Sequence, residues 1–200
     1  MVEAVETIEL KDETVLKIYQ DDHPFSPREE YDNLTTIAFF HNKYNIGDSV
    51  DYDSDDFEGW DEMEDYIQQT YKPLLILPLY MYDHSGIRLS TSPFSCKWDS
   101  GQVGFVYITK KQIDLIGTYI ENEESYEDYL ARLVSYIDNE VQTLDQYVSG
   151  DVYSYEVVDE SGEILDSCSG FYGSNWKKNG ILEYVGKDLL LDSSQDLGTL

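Results

Sequence analysis

Positive charge is what this chain has least of. Only 13 Lys and Arg stand against 41 Asp and Glu in 200 residues, a formal net charge of −28. A surface this negative excludes direct binding to phosphate backbones or anionic membranes over most of its area. Cysteine is scarce too: Cys96 and Cys168 are too few for a disulfide framework and are not spaced as a pair, so they read as reduced thiols. No window approaches the ~18 consecutive apolar residues of a membrane span. Met1 to Leu10 shows neither a basic region nor an apolar stretch of signal-peptide length. The expected location is the cytoplasm. No Pro- or Gly-rich linker and no internal repeat divides the chain.

Aromatic residues, by contrast, are plentiful. The 18 Tyr, 7 Phe and 3 Trp, within 41% hydrophobic content, separate this chain from disordered acidic tails, which lack aromatics. The acid excess is also segregated. Residues 31–70 carry 11 acids against one Lys, residues 121–170 carry 14 against one Arg, and residues 71–120 carry 3 against 5 bases. Self-repulsion on this scale opposes folding, so the field has a use, either solubility in extreme salt or attraction of a basic partner. Salt-adapted proteins spread their charge evenly, and this one does not. Basic partners are most often nucleic-acid-binding proteins, which makes mimicry of nucleic acid the leading expectation.

Patterning predicts the elements. Val15–Tyr19 and Leu34–Phe40 read as strands. Phe57, Trp60, Met63, Tyr66 and Ile67 recur at helical intervals and predict a helix from about Asp55 to Tyr71. Pro73–Tyr82 is a continuous apolar run read as a central strand interrupted or started at Pro78, with Ile87–Ser90 and Val103–Ile108 as neighbours. Thr109-Lys110-Lys111-Gln112 is a capping-box pattern that starts a helix running to Ile120. The acid run Glu121–Asp128 opens a longer helix that ends at Gly150. Val152–Val158 and Glu163–Asp166 form a hairpin, and a short helix follows from about Asn175 to Val185. Together these predict one α+β domain over residues 1–185, a mixed or antiparallel sheet packed against acidic amphipathic helices, with a weakly structured tail over residues 186–200.

Three constellations bear chemistry. The first is acidic: Asp51, Asp53, Asp55, Asp56, Glu58, Asp61, Glu62 and Asp65 in one run, and Glu123, Glu124, Glu127 and Asp128 in the other. Helical spacing would set Glu58, Asp61, Glu62 and Asp65 on one flank, and Glu124 with Asp128 or Glu123 with Glu127 on another, about 5–6 Å apart. Such rows resemble the phosphates of a DNA strand, and Tyr52, Tyr66, Tyr126 and Tyr129 would add flat contact area. The second is the same first run read for calcium. Asp51, Asp53, Asp55 and Glu62 fall at positions 1, 3, 5 and 12 of an EF-hand loop, but Asp56 replaces the glycine that the turn needs. The third joins His84, Cys96, Trp98 and Asp99 in a polar stretch, where Cys96 could be a nucleophile, His84 its base and Asp99 the orienter. No nucleophile elbow, HExxH, phosphate loop or CxxC spacing accompanies them, so no cofactor and no resident metal is expected.

The segments Leu77–Gly86 (LPLYMYDHSG), Phe94–Gly104 (FSCKWDSGQVG), Asp145–Tyr153 (DQYVSGDVY) and Asp166–Gly173 (DSCSGFYG) resemble an uncharacterised family of small acidic proteins of bacteriophages and mobile elements. The resemblance implies a phage or prophage setting, a host-cell cytoplasm, and the kind of compact acidic protein that blocks restriction enzymes or CRISPR effectors. Composition and resemblance together predict a non-enzymatic inhibitor whose carboxylates occupy the groove of a basic host defence protein. The alternative is a small-ligand binder or enzyme built on His84–Gln102, with acidity serving solubility. A third is a phage protein that acts by self-association.

Overall fold

The computed structural model describes residues 3–190. The fold is α+β, and the strands form two four-stranded antiparallel sheets where the sequence pointed to one. The described chain divides into two compact units, one built from residues 3–26 and 146–190, the other from residues 27–145. No described helix is long and apolar enough to cross a membrane.

In the unit formed by the two chain ends, β1 (Glu6–Glu9), β2 (Val15–Gln20), β7 (Val152–Val158) and β8 (Ile164–Tyr172) make a sheet in that order. Alternation turns Leu16 and Ile18 of β2 inward, and they meet Tyr155, Val157 and Phe171. The β7–β8 turn is held by Asp159, whose carboxylate accepts from the N–H groups of Ser161 and Glu163 at 2.8 and 2.9 Å. The final helix, α5 (Ile181–Val185), is shorter than predicted, and its Ile181, Leu182 and Val185 close the same core with Trp176. Residues 186–190 were expected to be loose. Instead Lys187–Leu189 form a 3-10 turn, and buried Leu190 bridges to Leu10, because that core needs an apolar lid. The remainder of the expected tail, residues 191–200, lies outside the described residues.

In the central unit, after the short helix α1 (Pro27–Glu30), β3 (Thr36–Phe39), β6 (Ser100–Ile108), β4 (Leu75–Asp83) and β5 (Ile87–Ser90) form the second sheet in that order. Pro78 lies inside β4. It is tolerated because β5 pairs only with Tyr80–Asp83, leaving that edge of β4 open at the proline. Gly104 permits the closest approach: a Cβ there would sit 1.8 Å from the Ala38 carbonyl oxygen, on a backbone with φ +153°.

The predicted helix from Asp55 begins later. A 3-10 turn at Ser54–Asp56 is followed by extended Phe57, and α2 runs from Trp60 to Thr70. Phe57 leaves the helical path to pack its ring against Tyr66, 5.3 Å between centroids. Met63 and Ile67 of α2 are fully buried with Ala38, Phe105 and Tyr107. Helix α3 (Lys110–Ile116) starts at the predicted Thr109/Gln112 capping box but stops four residues early, at left-handed Gly117. The long helix α4 (Tyr126–Ser149) buries Tyr129, Leu133, Ile137, Val141 and Leu144 at helical spacing, yet Glu121–Ser125 precede it. Glu123 there takes a left-handed φ of 69°, which no helix continues through. Ser125 then caps α4, accepting from the Asp128 N–H at 3.1 Å.

Candidate functional site

The carboxylates of the first run divide by what they do. Asp53 accepts from the Asp55 N–H, and Asp56 accepts from the Asp53 N–H at 3.0 Å, closing the 3-10 turn. Glu62 accepts from the Glu58 N–H at 2.6 Å at the start of α2. Asp51 accepts from the Tyr71 hydroxyl. Asp55, Glu58, Asp61 and Asp65 are exposed, and no hydrogen bond or ion pair engages their side chains among the described residues. Of these only Asp61 and Asp65 share a helix, one turn apart and about 5–6 Å at Cβ; Glu58 lies ahead of it. Of the continuous flank of four predicted for this run, Asp61, Glu62 and Asp65 lie on α2, Glu62 turned back onto the Glu58 N–H, and Glu58 lies in the approach ahead of the helix.

The second run departs further from a row. Glu123 and Glu124 lie in the turn before α4, so they do not pair with Glu127 and Asp128 on one helical face. Glu124 faces inward, where Arg132 donates to both of its oxygens at 2.8 Å. Those bonds, with a further one from the Glu121 N–H, hold its carboxyl at about 2. Asp128 accepts from the Ser125 hydroxyl at 2.7 Å. Glu123 and Glu127 are exposed. Among the tyrosines expected as contact area, Tyr52 and Tyr129 are buried, Tyr66 is half-buried and Tyr126 alone is exposed.

The polar stretch does converge. One oxygen of Asp99 lies 3.5 Å from the Cys96 thiol, which donates to it, and 3.4 Å from Nδ1 of His84. The order differs from the one predicted, since the carboxylate stands between the thiol and the imidazole. Trp98 is 96% exposed and takes no part. Nearby, Asp83 pairs with Lys43 at 3.5 Å. Cys96 and Cys168 are free thiols.

No family model, curated protein or solved structure matches the chain. Among the described residues no group of three or more His, Cys, Asp or Glu is arranged to hold a metal ion, the EF-hand-like run included.

Sequence reasoning missed two features of the central unit. The first is a buried junction at Arg28, whose side chain is 5% exposed. It donates to both oxygens of Asp48 at 3.0 and 2.6 Å, to Glu140 at 2.8 Å and to the Thr35 carbonyl at 2.8 Å. Glu140 also accepts from the N–H groups of Leu34 and Thr35, which ties α4 to the start of β3. Burial opposes the guanidinium charge, but Asp48 and then Glu140 outweigh it and hold the group above its ordinary pKa. A second ion pair repeats the device: Asp145, buried on α4, accepts from Arg88 and from the Leu89 N–H of β5. With Arg132 on Glu124, all three arginines of the chain are ion-paired. Their rarity in so acidic a sequence was the available signal.

The second feature is a cleft of about 560 Å³ whose lining includes Asp51, Tyr71, Tyr107, Lys111, Gln112 and Leu115. Tyr52, whose ring lies 5.9 Å from that of Tyr71, is buried, and its hydroxyl has no well-formed hydrogen bond among the described residues. Burial first, and then the neighbouring Tyr107, push that phenol far above its ordinary pKa.

Proposed function

We propose that the chain is a non-enzymatic acidic inhibitor that engages a basic nucleic-acid-binding protein of a host cell in place of nucleic acid. One observation carries this reading. The arginines are occupied by internal carboxylates, while Asp55, Glu58, Asp61, Asp65, Glu123 and Glu127 stand exposed and form no ion pair with a side chain among the described residues. The negative field is thus left uncompensated at the surface, where it steers association with a positive groove. The resemblance to acidic phage proteins fits the same reading, with a defence enzyme as target.

The test is affinity capture from a bacterial lysate, washed at low and then high salt. A nucleic-acid-binding enzyme that is retained at low salt and displaced by salt or by competing DNA is the expected result. Capture that ignores both, or no capture by a folded chain, overturns the proposal.

A second reading rests on the convergence of His84, Cys96 and Asp99. The shared Asp99 oxygen makes a small polar site that a ligand or reaction could use. Under that reading Cys96→Ser or His84→Ala removes activity, and reversing Asp61 and Asp65 to Lys does not.

A further inference from the structure

Leu115, Ile116, Tyr119, Ile120 and Tyr126 are between 39% and 81% exposed, five large apolar side chains in the open within one twelve-residue stretch, here called the ridge. Large apolar side chains gathered in the open mark contact surfaces more often than chance. The backbone beneath them is fixed. Gly117 ends α3, the Tyr129 hydroxyl donates to the Thr118 carbonyl at 3.0 Å, and Arg132 donates to the Tyr119 carbonyl at 2.8 Å. The ridge is therefore presented in place, with its ordering cost already met by the fold.

Its surroundings select the partner. Between residues 112 and 131 there are six carboxylates and no Lys or Arg. A second copy would bring like charge against like charge, so self-association on this face is disfavoured. Leu115 also lines the cleft with Asp51, which sets the ridge beside the end of the first acidic run. An apolar centre within a charged rim is the anatomy of a protein contact whose affinity comes from buried anchors and whose selectivity comes from charge.

We infer that the cleft and the ridge form a docking surface for an arginine- and lysine-rich protein segment that carries an apolar or aromatic residue. That residue covers Leu115 and Ile120, and a cationic side chain enters the cleft on the Asp51 side, beside the ring of Tyr71. Lys111, exposed at the same cleft, repels a cation there and so fixes the orientation. The inference rests on the reading of a basic partner and adds what charge alone does not supply, a contact that outlasts salt.

The experiment is an NMR titration of the full isotope-labelled chain with two synthetic peptides of equal positive charge. One is an Arg/Lys-rich peptide with two tryptophans, the other the same peptide with serine in their place. The tryptophan peptide is expected to bind about tenfold tighter, to retain binding at high salt, and to shift amides at Asp51, Lys111 and residues 115–126. Leu115→Ser with Ile120→Ser, both at exposed positions, removes that difference and leaves the serine peptide unaffected. Equal binding of the two peptides, or shifts elsewhere, overturns the docking surface while the basic-partner reading stands. Binding of neither peptide overturns both.

Discussion

Glu140 and Glu58 are two glutamates of one acid-rich chain, and the central unit uses them in opposite ways. Glu140 accepts from Arg28, from two backbone N–H groups and from the Thr35 hydroxyl at 2.6 Å. Glu58 is exposed, and its carboxylate has no partner among the described residues. The difference shows that the acid surplus is two populations. Some carboxylates hold elements of the fold together, Asp48, Glu140, Asp145 and Glu124 on the three arginines and others such as Asp53, Asp56 and Asp159 on backbone N–H groups; those left exposed and unbonded face solvent with their charge. Net charge counts both alike and so does not distinguish them, while the links between elements depend on the first.

The comparison is broken hardest at Arg28. Arg28→Ala leaves Asp48 and Glu140 facing each other with no cation, and is expected to cost about 3 kcal/mol, the lower end for a broken buried pair because both carboxylates keep some solvent. Equilibrium denaturant unfolding measures it; an unchanged midpoint would mean the junction is ornamental.

A smaller effect separates Glu124 from its exposed neighbours through pH. Arg132 holds its carboxyl at about 2 in the folded chain, against 4.5 for a free glutamate. The unfolded chain therefore takes up the proton first as pH falls. The stabilisation is complete above about 4.5 and fades as pH falls toward 2. Glu124→Gln should flatten the decline of stability across that window, read from unfolding curves at a series of pH values. Parallel curves for variant and parent would show that the pair contributes nothing.

The smallest effect is expected at the exposed acids. Asp61→Lys with Asp65→Lys should leave stability within about 0.5 kcal/mol, with relief of self-repulsion offsetting the less favourable charge at the start of α2. Thermal unfolding distinguishes this from a large loss, which would place these two carboxylates in the structural population.

Local pattern was legible where neighbours in sequence decide the outcome. The Thr109/Gln112 box, the end of α4 at Gly150 and the β7–β8 turn were read from spacing, because each depends on bonds within a few residues, whereas β8 runs on to Tyr172, six residues past the predicted Asp166, because its length is set by pairing along β7. The acid runs misled for the same reason. Periodicity places Glu123 and Glu124 on a helix, but Glu123 takes a left-handed φ and Glu124 bonds Arg132 eight residues on, so both lie in a turn ahead of α4. The Asp99 contact with both His84 and Cys96 was half legible: the residues were nominated, and their order was not.

The sequence by itself determined the α+β class, the apolar spacing that buries Met63 and Ile67, and the negative field, since these follow from residue type and short-range period; it left antiparallel and mixed pairing both open. Only the tertiary structure decided that the strands would sort into two sheets. It alone decided which carboxylates would be enclosed by the arginines, and that Asp51 and Leu115 would line one cleft. Those outcomes join residues tens of positions apart. The free energy that selects them comes from burying particular pairs together, a quantity that no window along the chain contains.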